Sequence, residues 1–211
     1  TTMVTDEDYD NNSHHINVGE KYTLEDLWHI ALIGSSNSAI LTLVHNSGLT
    51  QEEFVARMNS YAAELGLTSL HFVEPTGLDS RNMGNAQDIA KLLKEALKVR
   101  HIADTLSIGE YFSHPAAPSK SRRVWSTDWL LTKWVPSNFN ASQIVGKTGY
   151  ISESGYNFTV RITGKNKHAI RVVILGSAAN ETRFSEARDL AEWTYTHFVW
   201  PAEDGYAVLS N

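Results

Sequence analysis

Two short stretches carry side chains suited to chemistry on a carbonyl group: Ser35-Ser36-Asn37 in "LIGSSNSAIL" and Lys147-Thr148-Gly149 in "QIVGKTGYISESGYNF". A hydroxyl and a carboxamide at a junction between helices can be aimed into a cleft. A strand lysine followed by a hydroxyl and a glycine presents positive charge, a donor and a bare backbone edge. Each stretch also has a plain structural reading. Ser35 or Ser36 is a natural helix N-cap, and Lys147 can be a solvated strand residue beside a glycine bulge. The two lie far apart in the chain, so only the fold can make one site of them.

The elements that would position them can be read from patterning. Residues 1–22 are polar and read as loop. Thr23 with Asp26 resembles a capping box, and Leu24, Leu27, Trp28, Ala31 and Leu32 make a helical stripe. A second helix starts near Ser36 and ends at Asn46-Ser47-Gly48. Thr50 caps a third, with Phe54, Met58, Tyr61, Ala62 and Leu65 on one face and Gly66 as its stop. "SLHFVEPTGLDSRN" reads as a turn-rich loop, and Asn85 with Asp88 opens a fourth helix. Beyond about residue 105 short strands and loops mix. Then "SQIVGKTGY", "YNFTVRITG" and "HAIRVVILGS" read as three successive strands, with Gly164-Lys165-Asn166-Lys167 as the turn between the last two. "RFSEARDLAEWTYTHFVW" closes the order as a helix with Phe184, Ala187, Leu190, Ala191 and Trp193 or Thr194 inward. The fold class is α+β, a helical cluster packed on an antiparallel sheet. The expected division is one domain, residues 1–200, and a tail, residues 201–211.

Bulk properties narrow the function. The chain has 211 residues, suited to one domain, and 42% are hydrophobic. Its formal net charge is -6, with no basic stripe, so nucleic acid is not an expected partner. There are no cysteines, which excludes disulfides, thiolate metal sites and a cysteine nucleophile. His14-His15, His71 and His101 have no spacing that suggests a third ligand, so neither a metal nor another cofactor is expected. "SKSRR", residues 119–123, reads as a solvated basic turn that could also meet an anionic wall polymer.

Ser-x-Asn on a helical junction followed by Lys-Thr-Gly on a strand is two-thirds of the motif set of the penicillin-interacting serine enzymes. The chain resembles the low-molecular-mass penicillin-binding proteins, the D-alanyl-D-alanine carboxypeptidases and related D,D-endopeptidases. The resemblance runs through "LIGSSNSA", "FVARMNSYAAELGLTSLHFVEPTGLD", "AQDIAKLLKEAL", "GKTGYISESGYNF" and "RVVILGSAANETRF". It implies a β-lactamase/penicillin-binding transpeptidase-like fold and a bacterial enzyme outside the cytoplasm, in the periplasm or cell envelope. The implied substrates are peptidoglycan stem peptides, with β-lactam antibiotics as inhibitors.

By the same resemblance Ser35 relays protons and Asn37 orients the substrate amide. Lys147 supplies positive charge, Thr148 bonds the substrate carboxylate, Gly149 lets substrate lie against the strand, and the Tyr150 N–H is an oxyanion donor. Arg183 lies seven residues after Gly176, where some members carry an arginine that helps hold the terminal carboxylate; a surface arginine paired with Glu181 or Glu186 reads equally well. Two departures stand out: Ile151 where carboxypeptidases often have Thr, and Asp128 in "STDWLL" where an Asn-x-Asn pattern is common.

The family nucleophile is the Ser of Ser-x-x-Lys, and no serine here has lysine three places on. The chain therefore reads as beginning just after the nucleophile helix, without that helix or the strands before it. A complementary N-terminal segment carrying the serine would then be a partner. Two other functions compete with the peptidase. One is a serine β-lactamase, for which Glu74 in "VEPTGLD" is the candidate deacylating carboxylate. The other is a non-catalytic domain that binds muropeptides.

Overall fold

The computed structural model describes residues 1–10, 15–140, 144–164 and 167–201. His14, turn residues 165 and 166, and the tail from residue 202 onward lie outside the described residues.

The opening segment is not the polar loop expected. β1 (Thr2–Met3) pairs antiparallel with β2 (Lys21–Tyr22), Thr2 opposite Tyr22. Val4, Ile16 and Tyr22 are fully buried. Isolated apolar residues in a polar stretch carry no period, so their burial is decided by what packs over them. Arg122 of the basic turn closes on the same segment. It pairs with the Glu20 carboxylate and donates to the Tyr22 hydroxyl, so this arginine is no solvated turn residue. Burial pushes the Glu20 carboxyl up, but the bonds from Arg122, Tyr22 and Asn17 outweigh it and hold it at about 2.

Helix starts follow their capping chemistry. α1 (Leu24–Ile33) begins where the Thr23 side chain accepts from the Asp26 N–H. Asp26 does not complete a capping box. Its carboxylate instead accepts from the Thr23 and Tyr111 hydroxyls and the His114 N–H. Leu24 is 51% exposed, and Ile30 and Ile33 take the inward positions. α2 (Asn37–His45) is capped by Ser36, which accepts from the Ala39 N–H. α3 (Gln51–Glu64) has a full capping box, Thr50 with Glu53. Its expected stripe is largely covered: Ala62 is buried, Phe54, Met58 and Leu65 are half-buried, and Tyr61 alone of the five is exposed. α4 (Ala86–Ala96) starts at Asn85, which accepts from the Asp88 N–H. α5 (Arg100–Leu106) was not expected; its N-cap Val99 offers no side-chain bond, so no cap signal marks it.

β3 (Glu110–Phe112) and β4 (Arg123–Trp125) form a short antiparallel pair. The main sheet is β5 (Ile144–Ile151), β6 (Gly155–Thr163) and β7 (Ala169–Ser177), antiparallel in the order β5-β6-β7. α6 (Thr182–His197) closes the chain order. It turns Arg183, Phe184, Ala187 and Ala191 inward, while Leu190 and Trp193 are exposed.

Two apolar cores result. One lies between the sheet and α6 and contains Ile144, Phe158, Val160, Ile162, Val172, Phe184, Ala187 and Ala191. The other joins the opening segment to α1 and α2 through Val4, Tyr22, Leu27, Ile30, Ile33, Ala39 and Val124. Each fully buried large side chain contributes about 1.5–3 kcal/mol, so each core is anchored independently. Ser35 follows α1 out of the second core, and Lys147 lies on β5 at the rim of the first. The candidate residues meet at the seam.

Candidate active site

Ser35 sits between the last residue of the α1 cap, Gly34, and the α2 cap, Ser36. Its φ is 56°, the left-handed region that costs a non-glycine residue energy. The kink turns its hydroxyl across the seam, and Lys147 Nζ donates to Ser35 Oγ at 2.5 Å. Lys147 Nζ also donates to the Thr148 carbonyl at 3.0 Å. Burial pushes the Lys147 pKa down to about 8, and the nearby Arg183 charge adds to the shift. That brings the titration of this lysine much closer to neutral pH than that of an ordinary lysine. The pair can therefore exchange a proton near neutrality, as well as present positive charge.

Thr148 is nearly buried, and its Oγ1 lies 2.6 Å from Thr127 Oγ1. Gly149 and Tyr150 follow at the exposed end of β5, where the Tyr150 ring stacks on Tyr156 at 4.3 Å. β5 is an edge strand, so half of its backbone polar groups point away from β6. The two glycines of the strand differ in kind. A Cβ at Gly146 would lie 2.7 Å from the Thr159 carbonyl oxygen and 3.1 Å from Asp128 Oδ2. At Gly149 a Cβ would meet only the Asn157 Cβ, at 3.9 Å. The fold needs Gly146, whereas nothing within the protein requires Gly149, and the space it leaves lies over the sheet face beside Asn157. Gly146→Ala is therefore expected to cost about 2 kcal/mol in thermal unfolding, whereas Gly149→Ala is expected to leave stability within about 0.5 kcal/mol.

Asn37 is held by a residue that sequence reasoning did not single out. Its Nδ2 donates to Asp10 Oδ2 at 2.8 Å, and the Asp10 N–H donates to Ser38 Oγ at 2.8 Å. The structure thus brings Ser35, Lys147 and Thr148 into one hydrogen-bonded group, with Asn37 beside it on the first turn of α2. Thr127 joins that group across a sequence separation no local pattern reports.

Arg183 is not the surface arginine paired with Glu181 or Glu186. The residue is 6% exposed, and its Nη1 donates to the Gly149 and Asn157 carbonyls at 2.9 and 3.1 Å. Its Nη2 donates to Asn180 Oδ1 at 2.5 Å, and its guanidinium lies over the Phe184 ring. It ties β5 to β6 from behind the strand instead of lying open at the surface. Asp128 lies behind the same strand, 2% exposed, with Oδ1 accepting from the Leu130 and Leu131 N–H groups. Burial pushes its carboxyl up to about 6 against the pull of Arg183.

Glu74 is committed to its own loop. Its carboxylate accepts from the Thr76 hydroxyl and from the N–H groups of Thr76, Gly77 and Asp79, as well as from Asn82 Nδ2. Burial pushes it up, yet those bonds outweigh burial and hold it below the usual carboxylate range. With its oxygens so occupied, Glu74 does not have the arrangement of a base that activates water.

Comparison with known proteins follows the same line. The model of the family described as D-alanyl-D-alanine carboxypeptidase matches residues 1–178. A D-alanyl-D-alanine endopeptidase of Escherichia coli is 28% identical over 186 residues, covering 88% of this chain and 58% of that protein. The D-alanyl-D-alanine carboxypeptidase DacC of Escherichia coli is 31% identical over 185 residues, covering 85% of this chain and 42% of that protein. The chain spans about half the length of the curated relatives it matches. Among solved structures, a penicillin-binding protein homologue from Mycobacterium tuberculosis superposes with a TM-score of 0.80 at 23% identity, covering 96% of this chain and 75% of that one. Penicillin-binding protein 5 from Haemophilus influenzae gives 0.77 at 20% identity, covering 92% and 55%. At such identities these two matches speak for the fold.

Proposed function

The chain belongs to the D-alanyl-D-alanine carboxypeptidase family, and from that premise we propose that it forms the substrate-binding part of a serine D,D-peptidase acting on peptidoglycan. The observation that carries this reading is the bond from Lys147 Nζ to Ser35 Oγ beside the open edge of β5. The substrate is the D-Ala-D-Ala end of a stem peptide, or a D-Ala cross-link. It extends along β5 as an added strand, which satisfies that strand's free N–H and C=O groups. Lys147 and Thr148 take its terminal carboxylate. Gly149 leaves room for its backbone, and the Tyr150 N–H polarises the carbonyl that is attacked. Asn37 orients the substrate amide, and Asp10 orients Asn37.

The attacking group is a serine, which forms an acyl-enzyme that water then releases. No Ser-x-x-Lys occurs within Thr1–Asn211, so that serine is assigned to a segment outside these residues. Ser35, next to a lysine with a pKa of about 8, relays the proton between attacking and leaving groups. Peptidoglycan lies outside the cytoplasm, and the enzyme works there, with β-lactams acylating the same serine.

A fluorescent penicillin tests this. Thr1–Asn211 alone is expected to take no covalent label. A polypeptide that adds a Ser-x-x-Lys segment before Thr1 is expected to be labelled slowly and irreversibly, and to release D-Ala from a stem-peptide mimic. Labelling of Thr1–Asn211 itself would refute the assignment of the nucleophile. Rapid turnover of the penicillin by the longer chain would make it a β-lactamase.

A further inference from the structure

We propose that Thr127 is a second hydroxyl of the ligand-carboxylate site, acting together with Thr148; this rests on the reading that the cleft binds a peptide ending in a free carboxylate. Thr127 Oγ1 stands 2.6 Å from Thr148 Oγ1. The approach is fixed from three sides. The Thr127 N–H donates to the Ile33 carbonyl at 3.1 Å, just before the turn that carries Ser35. Asp128, the next residue, is held by the Leu130 and Leu131 N–H groups. Thr148 is set by its place in β5 opposite Phe158. Thr127 thus links the end of α1 to the strand that carries Lys147.

Counting donors shows what the pair lacks. Two hydroxyls hold two hydrogens, and their mutual bond uses one. Among the described residues no third group accepts the other from either Oγ1. A carboxylate supplies two oxygens with lone pairs to spare, and both hydroxyls can turn to it. Lys147 Nζ, bonded to Ser35 Oγ and to the backbone carbonyl of Thr148 itself, brings positive charge beside the residue that carries one of the two hydroxyls. Thr127 is partly exposed and Thr148 is 9% exposed, so Thr127 is the more accessible member of the pair. If the pair served only to tie residue 127 to β5, it would support every ligand equally. A carboxylate site makes a narrower demand.

The test is calorimetric binding of an N-acetylated peptide ending in D-Ala-D-Ala, offered as the free acid and as the C-terminal amide. The unchanged protein is expected to prefer the acid. Thr127→Val keeps the side-chain shape and the backbone bond to Ile33, and is expected to weaken the acid about tenfold, the scale for one hydrogen bond to a charged group, with the amide within twofold. Thr127→Ser is expected to retain the preference. If Thr127→Val keeps the full preference, or weakens acid and amide alike, the inference is overturned while the binding reading stands. If the unchanged protein shows no preference for the acid, the binding reading falls, and this inference with it.

Discussion

Lys147→Met is expected to lower affinity for a carboxylate-ended peptide on the order of 100-fold or more and, at neutral pH, to raise the stability of the fold. The first effect follows from removing a buried, hydrogen-bonded cation from the place where the ligand's charge would sit. The second follows from desolvation. Burial, with Arg183 adding to it, brings Lys147 from 10.5 to about 8 in the folded protein. The folded state therefore binds fewer protons than the unfolded state between those two values, and the wild type gains stability as pH rises through that window. Below about pH 8 the full cost of burying the charge is present. Methionine fills similar volume without it. The gain is on the order of 1–3 kcal/mol, after allowing for the lost bonds to Ser35 and Thr148. It should be largest below pH 8 and shrink steadily as pH rises toward 10.5, as read by urea unfolding at several pH values. The same titration sets the ligand's pH dependence: affinity for the acid should fall as pH rises through about 8, because only the ammonium form attracts a carboxylate. A variant that binds the acid normally, or is less stable than wild type at pH 7, would rule out the buried functional lysine.

Short-range chemistry made much of the framework legible. The caps at Ser36, Thr50 and Asn85 are local bonds between a side chain and an N–H a few residues on, so a reading frame of four residues finds them. The meander of β5, β6 and β7 is legible from its turns and its alternation, because burying one face of a strand imposes a period of two. Ser35 and Lys147 could be nominated together only through motif resemblance. Nothing local says that a hydroxyl at φ 56° would reach a lysine on the far side of the seam.

What stayed hidden depends on tertiary context. Val4, Ile16 and Tyr22 look isolated in sequence and are core, while Leu24, Leu190 and Trp193 look like core and are exposed. A stripe names the residues that could face inward, but the neighbour that covers them decides how many do. Thr127 and Asp10 were missed because their value lies in one distant partner each, Thr148 and Asn37. Asp128 was noticed only as a departure from a pattern, and its burial had no local signal. A lone charged residue reads as surface by base composition. The carboxylate at 128 and the guanidinium at 183 both sit behind β5, where each moderates the other's cost.

Arg183→Met is accordingly expected to destabilise the protein by about 3 kcal/mol, a fall in Tm of roughly 10 °C. A surface arginine paired with Glu181 or Glu186 would cost within about 0.5 kcal/mol instead. The loss has two sources. The Gly149 and Asn157 carbonyls lose the donor that ties β5 to β6, and an acceptor left unpaired costs up to about 1–3 kcal/mol where water does not replace the donor. Asp128 also loses the positive charge that restrains its pKa at about 6, so its carboxyl rises further and takes up a proton. That uptake has a signature: because Asp128 is raised above its unfolded value, protonation favours the folded state, so the variant's stability deficit should shrink as pH falls toward 5. Asp128→Asn in the Arg183→Met background should then recover part of the loss, a non-additive result in a double-mutant cycle. Lys147 should respond as well. With Arg183 gone, one of the two causes holding its pKa down is removed, and the pH at which acid-ended peptide binding is lost should move above about 8. Arg183→Lys, which keeps the charge without the fork that spans two carbonyls, should preserve the Lys147 midpoint but not the stability. Additive single-variant costs with an unmoved midpoint would mean that Arg183 is a packing residue with no electrostatic connection to the site.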